Sequence, residues 1–416
     1  MHEHQFELLH KAQEAAATLA PLAQAELEPE LETAVAELAL WSATRAGDLQ
    51  ASLEAYAKLQ KSSTNPRKLL DACRAVAALL KEAQRAAEAK PLFEDLLRRA
   101  RGERGIQTEA LVESAWLAIE AKDADEAEAL ARTAAKLAPD TSAKAQAAEA
   151  CFFAGELRFA QPNLERARAL YELALPSASA KVVPQALYKL GFVHLRGERV
   201  DDAAVCFKKV ADEHASHELA GEARFLAADC RFRQRRFAEC AELLATFAKD
   251  LPRHASAPHA LFELGVSLGE LGRWKECEAT LVELARRGAN PANALEADLW
   301  RARAVAARGD ERGARAALER VAATDKGRVG SLARLELGKL DAKAGRHEDA
   351  LASFLKIALL FEGGELVAEA SFLAAGELEA LERPDKARAR YSDLVARHPD
   401  SPFAVRAKQR LDALGR

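Results

Sequence analysis

A small residue recurs along this chain at intervals of 36 to 40 residues, each time inside a stretch whose apolar residues follow a helical period. Three units that begin at Ala186, Ala223 and Ala260 show the repeat most clearly: ALYKLGFVHLRGERVDDAAVCFKKV, ARFLAADCRFRQRRFAECAELLATF and ALFELGVSLGELGRWKECEATLVEL. The recurring position is occupied by Ser52, Ala89, Ala127, Ala167, Ala203, Cys240, Cys277, Ala314, Ala350 and Ala387. Such regular spacing indicates a repeat array instead of two or three independent globular domains.

Each unit contains two stretches with apolar residues at i, i+3, i+4 and i+7, which predicts two amphipathic helices. A short polar turn such as Gly197-Glu198 or Gly272-Arg273 separates them, and glycine is favoured where a helix ends in left-handed backbone. The repeating object is therefore predicted to be a helical hairpin. The recurring small residue is predicted to let two antiparallel helices approach closely. The larger residue four positions later, Phe207 for example, is predicted to fill the space against the next unit.

These residues resemble the tetratricopeptide repeat family, in which the first helix carries an apolar-Leu-Gly spacing and the second carries Ala and an aromatic residue. The first-helix pattern is present at Leu190-Gly191 and Leu264-Gly265, and the resemblance extends roughly over residues 31–399. In the early units the glycine is replaced by Leu40, Ala77 and Ala115. The resemblance implies an all-α fold: a solenoid of about ten stacked hairpins that forms a right-handed superhelix, with the first helices on the concave side.

The predicted organisation has three parts, which are an N-terminal helical cap over residues 1–30, the hairpin array over residues 31–400 and a C-terminal capping helix over residues 401–416. Caps are expected because an exposed stacking face would otherwise aggregate. A proline-bounded segment over residues 176–184 is the best candidate for a hinge within the array.

The charge balance disfavours a nucleic-acid partner. Sixty Lys and Arg stand against 64 Asp and Glu, for a formal net charge of −4, whereas proteins dedicated to nucleic acids usually carry a basic excess. No apolar stretch reaches the roughly 20 residues that span a bilayer, so no membrane insertion is expected. The N-terminus shows no basic region followed by an apolar run. A cytoplasmic location is therefore expected, with the periplasm or cell envelope as the alternative if a leader has been removed.

The predicted register places an unusual number of aromatic side chains on one face of the first helices. The candidate partner-binding residues on this concave face are Trp116, Phe152, Phe159, Tyr188, Phe192, Arg196, Phe225, Phe232, Arg233 and Phe262. Large flat apolar groups suit a peptide or amphipathic helix of another protein. Two other interpretations stay open: the aromatics pack neighbouring first helices together, or they receive the chain's own N-terminal segment.

The sequence offers little support for enzymatic chemistry. It contains no Gly-rich phosphate loop, H-E-x-x-H or C-x-x-C motif, so no catalytic residue, metal or cofactor is predicted. The six cysteines lie in predicted helices where small apolar residues are wanted, which favours free buried thiols. The predicted function is a non-catalytic scaffold for protein–protein interaction. The alternatives are an exported factor that assembles or tethers the cell envelope, a helical-repeat RNA binder and a regulatory module. The oligomeric state stays open.

Overall fold

The structure is a computed structural model that describes residues 11–12, 14–15, 17–19, 21–22, 28–288, 291–360 and 364–415. Over these residues the regular elements are helices, which confirms the all-α class and the solenoid of helical hairpins. The chain divides into two compact units, Met1–Ala223 (unit 1) and Arg224–Arg416 (unit 2). The predicted N-terminal cap falls largely outside the described residues. The predicted hinge and the hand of the superhelix stay predictions.

Unit 1 alternates first and second helices of successive hairpins. Its helices are α1 Pro29–Ala46, α2 Leu49–Ser62, α3 Pro66–Glu82, α4 Lys90–Arg99, α5 Arg104–Glu120, α6 Ala124–Leu137, α7 Thr141–Ala160, α8 Leu164–Ala174, α9 Val182–Arg196 and α10 Val200–Glu213. Helix α11, Ala220–Arg233, begins in unit 1 and continues into unit 2.

Unit 2 continues the same alternation. Its remaining helices are α12 Phe237–Asp250, α13 Ala257–Glu270, α14 Trp274–Arg287, α15 Pro291–Ala307, α16 Glu311–Thr324, α17 Arg328–Lys343, α18 His347–Leu360, α19 Glu365–Ala380, α20 Pro384–Arg397 and α21 Pro402–Leu414. Helix α21 packs on both α19 and α20, so it covers the last hairpin. Within each unit, contacts between successive first helices recur, whereas second helices rarely touch one another. The first helices therefore lie on the inner side of the stack, as the resemblance implied.

The recurring small residue is the most buried feature of the chain. All ten positions, from Ser52 to Ala387, are 0% exposed. In several hairpins the large residue four positions later packs over a first-helix glycine of its own hairpin. In the first hairpin it also reaches the next unit as predicted, because the Tyr56 hydroxyl lies 3.1 Å from the Cys73 Sγ of α3. A Cβ built on Gly191 would lie 2.5 Å from the Phe207 ring, and one on Gly338 would lie 2.5 Å from the Phe354 ring. In these two hairpins the helices approach closely because the large side chain enters space that glycine leaves free.

The second hairpin departs from the regular pattern. Its small residue, Ala89, ends a 3₁₀ helix over Ala86–Ala89, and α4 begins only at Lys90. Pro91 stands at the second position of α4. Because proline has no backbone N–H to donate to the preceding turn, the two segments do not merge into one regular α-helix.

The turns inside the hairpins require one residue in left-handed backbone, and it is not always glycine. Gly272 fulfils the prediction with a φ of 72°. In the Gly197-Glu198 turn, however, Gly197 has a φ of −91° and Glu198 takes the left-handed place with a φ of 59°. Lys122 and Arg235 behave like Glu198. Closing the hairpin thus imposes this backbone even where the residue type disfavours it.

Buried ion pairs connect neighbouring helices at one repeat position, with opposite polarity in the two units. In unit 1, Arg158 of α7 is buried and lies 2.7 Å from the Glu128 carboxylate of α6. In unit 2, the equivalent position of α17 is Asp341, whose carboxylate lies 2.5 Å from Arg315 of α16. A second partner also neutralises each buried charge, Asp125 for Arg158 and Arg346 for Asp341. These buried pairs favour the native neighbour over a helix with the wrong charge.

The cysteines serve as small packing residues. Cys240 and Cys277 occupy the recurring small position and are fully buried, as the repeat predicted. Cys73 and Cys151 are also fully buried, and Cys206 is half-buried. Burial raises the pKa of these five thiols to about 11 or 12, which keeps them protonated at neutral pH.

We predict that Gly191→Ala destabilises the chain by about 1–3 kcal/mol, because the new methyl group would push the Phe207 ring and separate α9 from α10. Gly376→Ala is the matched control. Its Cβ would meet only the Tyr391 hydroxyl, at 3.9 Å, so the better helix propensity of alanine should leave stability unchanged or slightly higher. Urea unfolding followed by circular dichroism compares the two, and equal midpoints would contradict the close-approach argument.

Candidate protein-interaction surfaces

In unit 1, the first helices of three successive hairpins carry aromatic side chains that contact another ring. The second ring lies either on the same helix or on a neighbouring one. Trp116 of α5 lies 5.0 Å from Phe153 of α7, measured between ring centroids. On α9, the Tyr188 and Phe192 rings meet edge to face at 5.1 Å, and both also contact Phe207. These four first-helix aromatics are half-buried. They are held by packing underneath while part of each ring still faces solvent.

Charged groups border this aromatic row. The Arg196 guanidinium stacks on the Phe159 ring at 4.2 Å from its centroid, and the Lys189 ammonium lies 5.3 Å from the same ring. Lys189 also donates to the Glu156 carboxylate at 2.6 Å. We call Trp116, Phe153, Phe159, Tyr188, Phe192 and Arg196 the unit 1 first-helix surface.

The predicted residues do not all belong to an accessible surface. Phe152 is only 3% exposed and packs on Tyr171 and Phe153, so it is a core residue of unit 1. Phe153 was not predicted, although it joins Trp116 to the row. Phe153 directly follows Phe152, so it lies outside the repeat positions that the sequence analysis assigned to the inner face of the first helices.

In unit 2, two of the predicted aromatics are core residues as well. Phe225 and Phe262 are each 7% exposed, and the His259 ring lies between them at centroid distances of 5.5 and 6.5 Å. Phe232 is half-buried against Phe237. Arg233 is exposed, and its Nε donates to the Asp229 carboxylate at 2.7 Å.

A buried acid beside these rings escaped the sequence analysis. Glu263 of α13 is 2% exposed, and its Oε2 has no hydrogen-bond partner in the described part of the chain. The His259 Nε2 lies 3.4 Å from its Oε1. Burial first, and then the neighbouring Asp229 carboxylate, raise the pKa of Glu263 to about 7, while His259 lowers it.

The repeat shows what is unusual about Glu263. Two repeats earlier, the equivalent residue is Lys189, which pairs with Glu156 of the preceding first helix. One hairpin after Glu263, Arg303 pairs with Glu336 in the same way, at 3.1 Å. Glu263 instead meets an acid, Asp229, on the preceding first helix. Two carboxyl groups stand here in place of an acid–base pair. Arg233 pairs with Asp229 and His259 contacts Glu263, while burial raises the pKa of Glu263.

A sequence profile described as a tetratricopeptide repeat matches residues 188–255, which run from within α9 to the loop after α12. The matched segment contains Gly191 beneath Phe207 and the buried Cys240, the two features on which the hairpin depends. Residues 188–255 therefore belong to the tetratricopeptide repeat family. The described residues contain no group of three or more His, Cys, Asp or Glu side chains arranged to hold a metal ion. Nor does any described helix have the length and apolar character needed to cross a bilayer.

Several solved structures are similar to this chain. A tetratricopeptide repeat protein from Parabacteroides merdae is 13% identical with a TM-score of 0.47, and the match covers 65% of this chain and 99% of that one. PilW, a type IV pilus biogenesis factor, is 22% identical with a TM-score of 0.44, covering 54% and 98%. PilF of Pseudomonas aeruginosa is 16% identical with a TM-score of 0.41, covering 55% and 97%. A comparison with curated proteins finds no match.

We predict that replacing Phe225 and Phe262 together with alanine destabilises this chain by several kcal/mol, since removing a buried phenylalanine costs about 3–5 kcal/mol. The reason is that both rings fill the interior of unit 2 around His259. Differential scanning calorimetry of the double variant tests this. A melting temperature equal to that of the wild type would show that both rings are dispensable for packing.

Stability should also depend on pH through Glu263. The folded chain keeps the Glu263 proton up to about pH 7, whereas the unfolded chain releases it near the ordinary value of 4.5. This stabilisation is therefore complete below pH 4.5 and is lost as the pH rises through 7. We expect Glu263→Gln, which keeps the neutral shape, to flatten the fall in urea midpoint between pH 5 and pH 8. The exposed Glu319→Gln is the control and should retain the wild-type slope; an unchanged slope in Glu263→Gln would refute a protonated Glu263.

Proposed function

We propose that this protein is a non-catalytic scaffold that binds a peptide or helical segment of another protein on the unit 1 first-helix surface. One observation carries the proposal: Trp116, Phe153, Tyr188 and Phe192 are held rigidly by ring contacts and still leave part of each ring exposed. A fixed aromatic ring loses little conformational freedom on binding, which is why Trp and Tyr are enriched among residues that dominate binding energy.

The chemistry of the surface suits a mixed segment with apolar anchors and flanking charges. Covering aromatic rings contributes about 25 cal/mol per Å² of apolar area removed from water. Arg196, stacked on Phe159, presents a guanidinium at the border of the row, and Glu156 presents a carboxylate that is already paired with Lys189. A partner segment would therefore gain most from the rings, and the charges would orient it. Family membership supports this class of function, since stacked helical repeats build extended binding surfaces.

The test is a comparison of two double variants as bait in extracts of the native cells, with captured proteins quantified by mass spectrometry. Trp116→Ala with Tyr188→Ala should lose the partner that the wild type captures, with at least about thirtyfold weaker binding to the purified partner in calorimetry, since dominant anchors contribute about 2 kcal/mol or more each. The matched control, Leu173→Ala with Val205→Ala, removes exposed apolar side chains from second helices of the same unit and should retain binding.

Circular dichroism establishes that both double variants are folded. Full binding by the folded Trp116/Tyr188 variant would overturn the proposal and assign these rings to inter-repeat packing. Loss of binding in both double variants would mean that the partner binds another surface or contacts the whole unit.

A further inference from the structure

A column of large residues on the first helices gives way to small ones in unit 2. The column holds Phe159, Leu195 and Phe232, and at the following two repeats it holds Gly269 and Ala306. Gly269 and Ala306 therefore leave open the space that a large side chain fills in the other repeats named. Trp300 takes part of that space, because its ring lies against Gly269, where an added Cβ would come within 2.5 Å of it.

What remains is a cavity of about 630 Å³ at the ends of α13, α15 and α17. Its apolar walls include Trp274, Trp300 and Ala306, and it lies wholly within unit 2. A volume of this size lies in the range of pockets that bury small ligands and side chains. The Trp300 ring packs against Gly269 and against Arg303, whose guanidinium lies 4.6 Å from the ring centroid.

The charges around the cavity leave a cation in excess. Arg303, Lys339 and Lys343 line it together with the acids Glu270 and Glu336. Arg303 pairs with Glu336, and Lys339 lies 2.9 Å from Glu369 outside the cavity. Lys343, exposed in the last turn of α17, makes no ion pair or hydrogen bond with any residue that the structure describes. The free ammonium group makes the rim complementary to a carboxylate.

We propose that this cavity is a second binding site, distinct from the unit 1 first-helix surface, for a partner segment that carries an aromatic side chain beside an acidic residue. The aromatic side chain enters the space left open at Ala306 and contacts Trp274 and Trp300. The acidic residue pairs with Lys343 at the rim. Binding at this site thus requires a particular sequence and charge in the partner segment, which the aromatic rings of the unit 1 first-helix surface alone do not require.

The test uses a fluorescein-labelled peptide, Ser-Gly-Asp-Phe-Glu-Gly-Ser, and fluorescence anisotropy with the full chain. We expect binding that weakens at least about fivefold when Asp and Glu are replaced by Asn and Gln, which is the scale of an exposed ion pair, and that is lost when Phe is replaced by Ala. Ala306→Phe should abolish binding, because it fills the cavity with the residue type that the same repeat position carries at Phe159 and Phe232. Lys343→Glu should weaken binding about fivefold or more, while the control Lys249→Glu, an exposed lysine of α12, should not.

Melting curves establish that Ala306→Phe is folded, and Lys343→Glu provides an independent test if it is not. The proposal is overturned if the wild type does not bind the acidic peptide at about 1 mM protein, a concentration that detects weak contacts. It is equally overturned if the folded Ala306→Phe, or Lys343→Glu, binds like the wild type. The Trp116→Ala/Tyr188→Ala variant should bind this peptide normally, so failure of this site and failure of the unit 1 surface are distinguishable.

Discussion

The whole structure depends on how closely two antiparallel helices can approach inside one hairpin. A large second-helix side chain, such as Phe207 or Phe354, rests on a first-helix glycine that has no side chain to obstruct it. This contact sets the distance between the two helices, and that distance sets the thickness of each hairpin layer in the stack. Because packed interiors tolerate little extra volume, the small residue of the second helix recurs in every repeat, although Leu40, Ala77 and Ala115 replace the first-helix glycine in the early ones. The first helices then stack with their exposed rings in fixed positions.

The repeat could be predicted because the close approach leaves a strict trace in the sequence. A small residue every 36 to 40 positions is required at the crossing, and all ten such residues are fully buried. The turns were less predictable. Glu198 adopts left-handed backbone beside a glycine that does not, because hairpin closure decides which residue takes this conformation. The interruption before α4 follows from Pro91. This proline is visible in the sequence, but the spacing of apolar residues does not reveal its effect.

The candidate surfaces were only partly predictable, because the helical period assigns a residue to a face and does not say how far neighbours cover it. Tyr188, Phe225 and Phe262 share one repeat position, yet Tyr188 is half-exposed whereas His259 packs between the other two. Glu263 was missed because a charged residue on a helix is ordinarily solvated. The repeat did contain the signal, since the equivalent residues in the adjacent repeats are the buried Leu226 and Trp300.

The buried thiols give this molecule a set of internal reporters. Cys73, Cys151, Cys240 and Cys277 lie in different helices along the array, and burial keeps each of them in the unreactive protonated form. A thiol reagent can reach such a group only while its own hairpin is transiently open. In a stack where each hairpin contacts mainly its neighbours, the alkylation rates of the individual cysteines would therefore map where the array loosens first and how far that opening spreads.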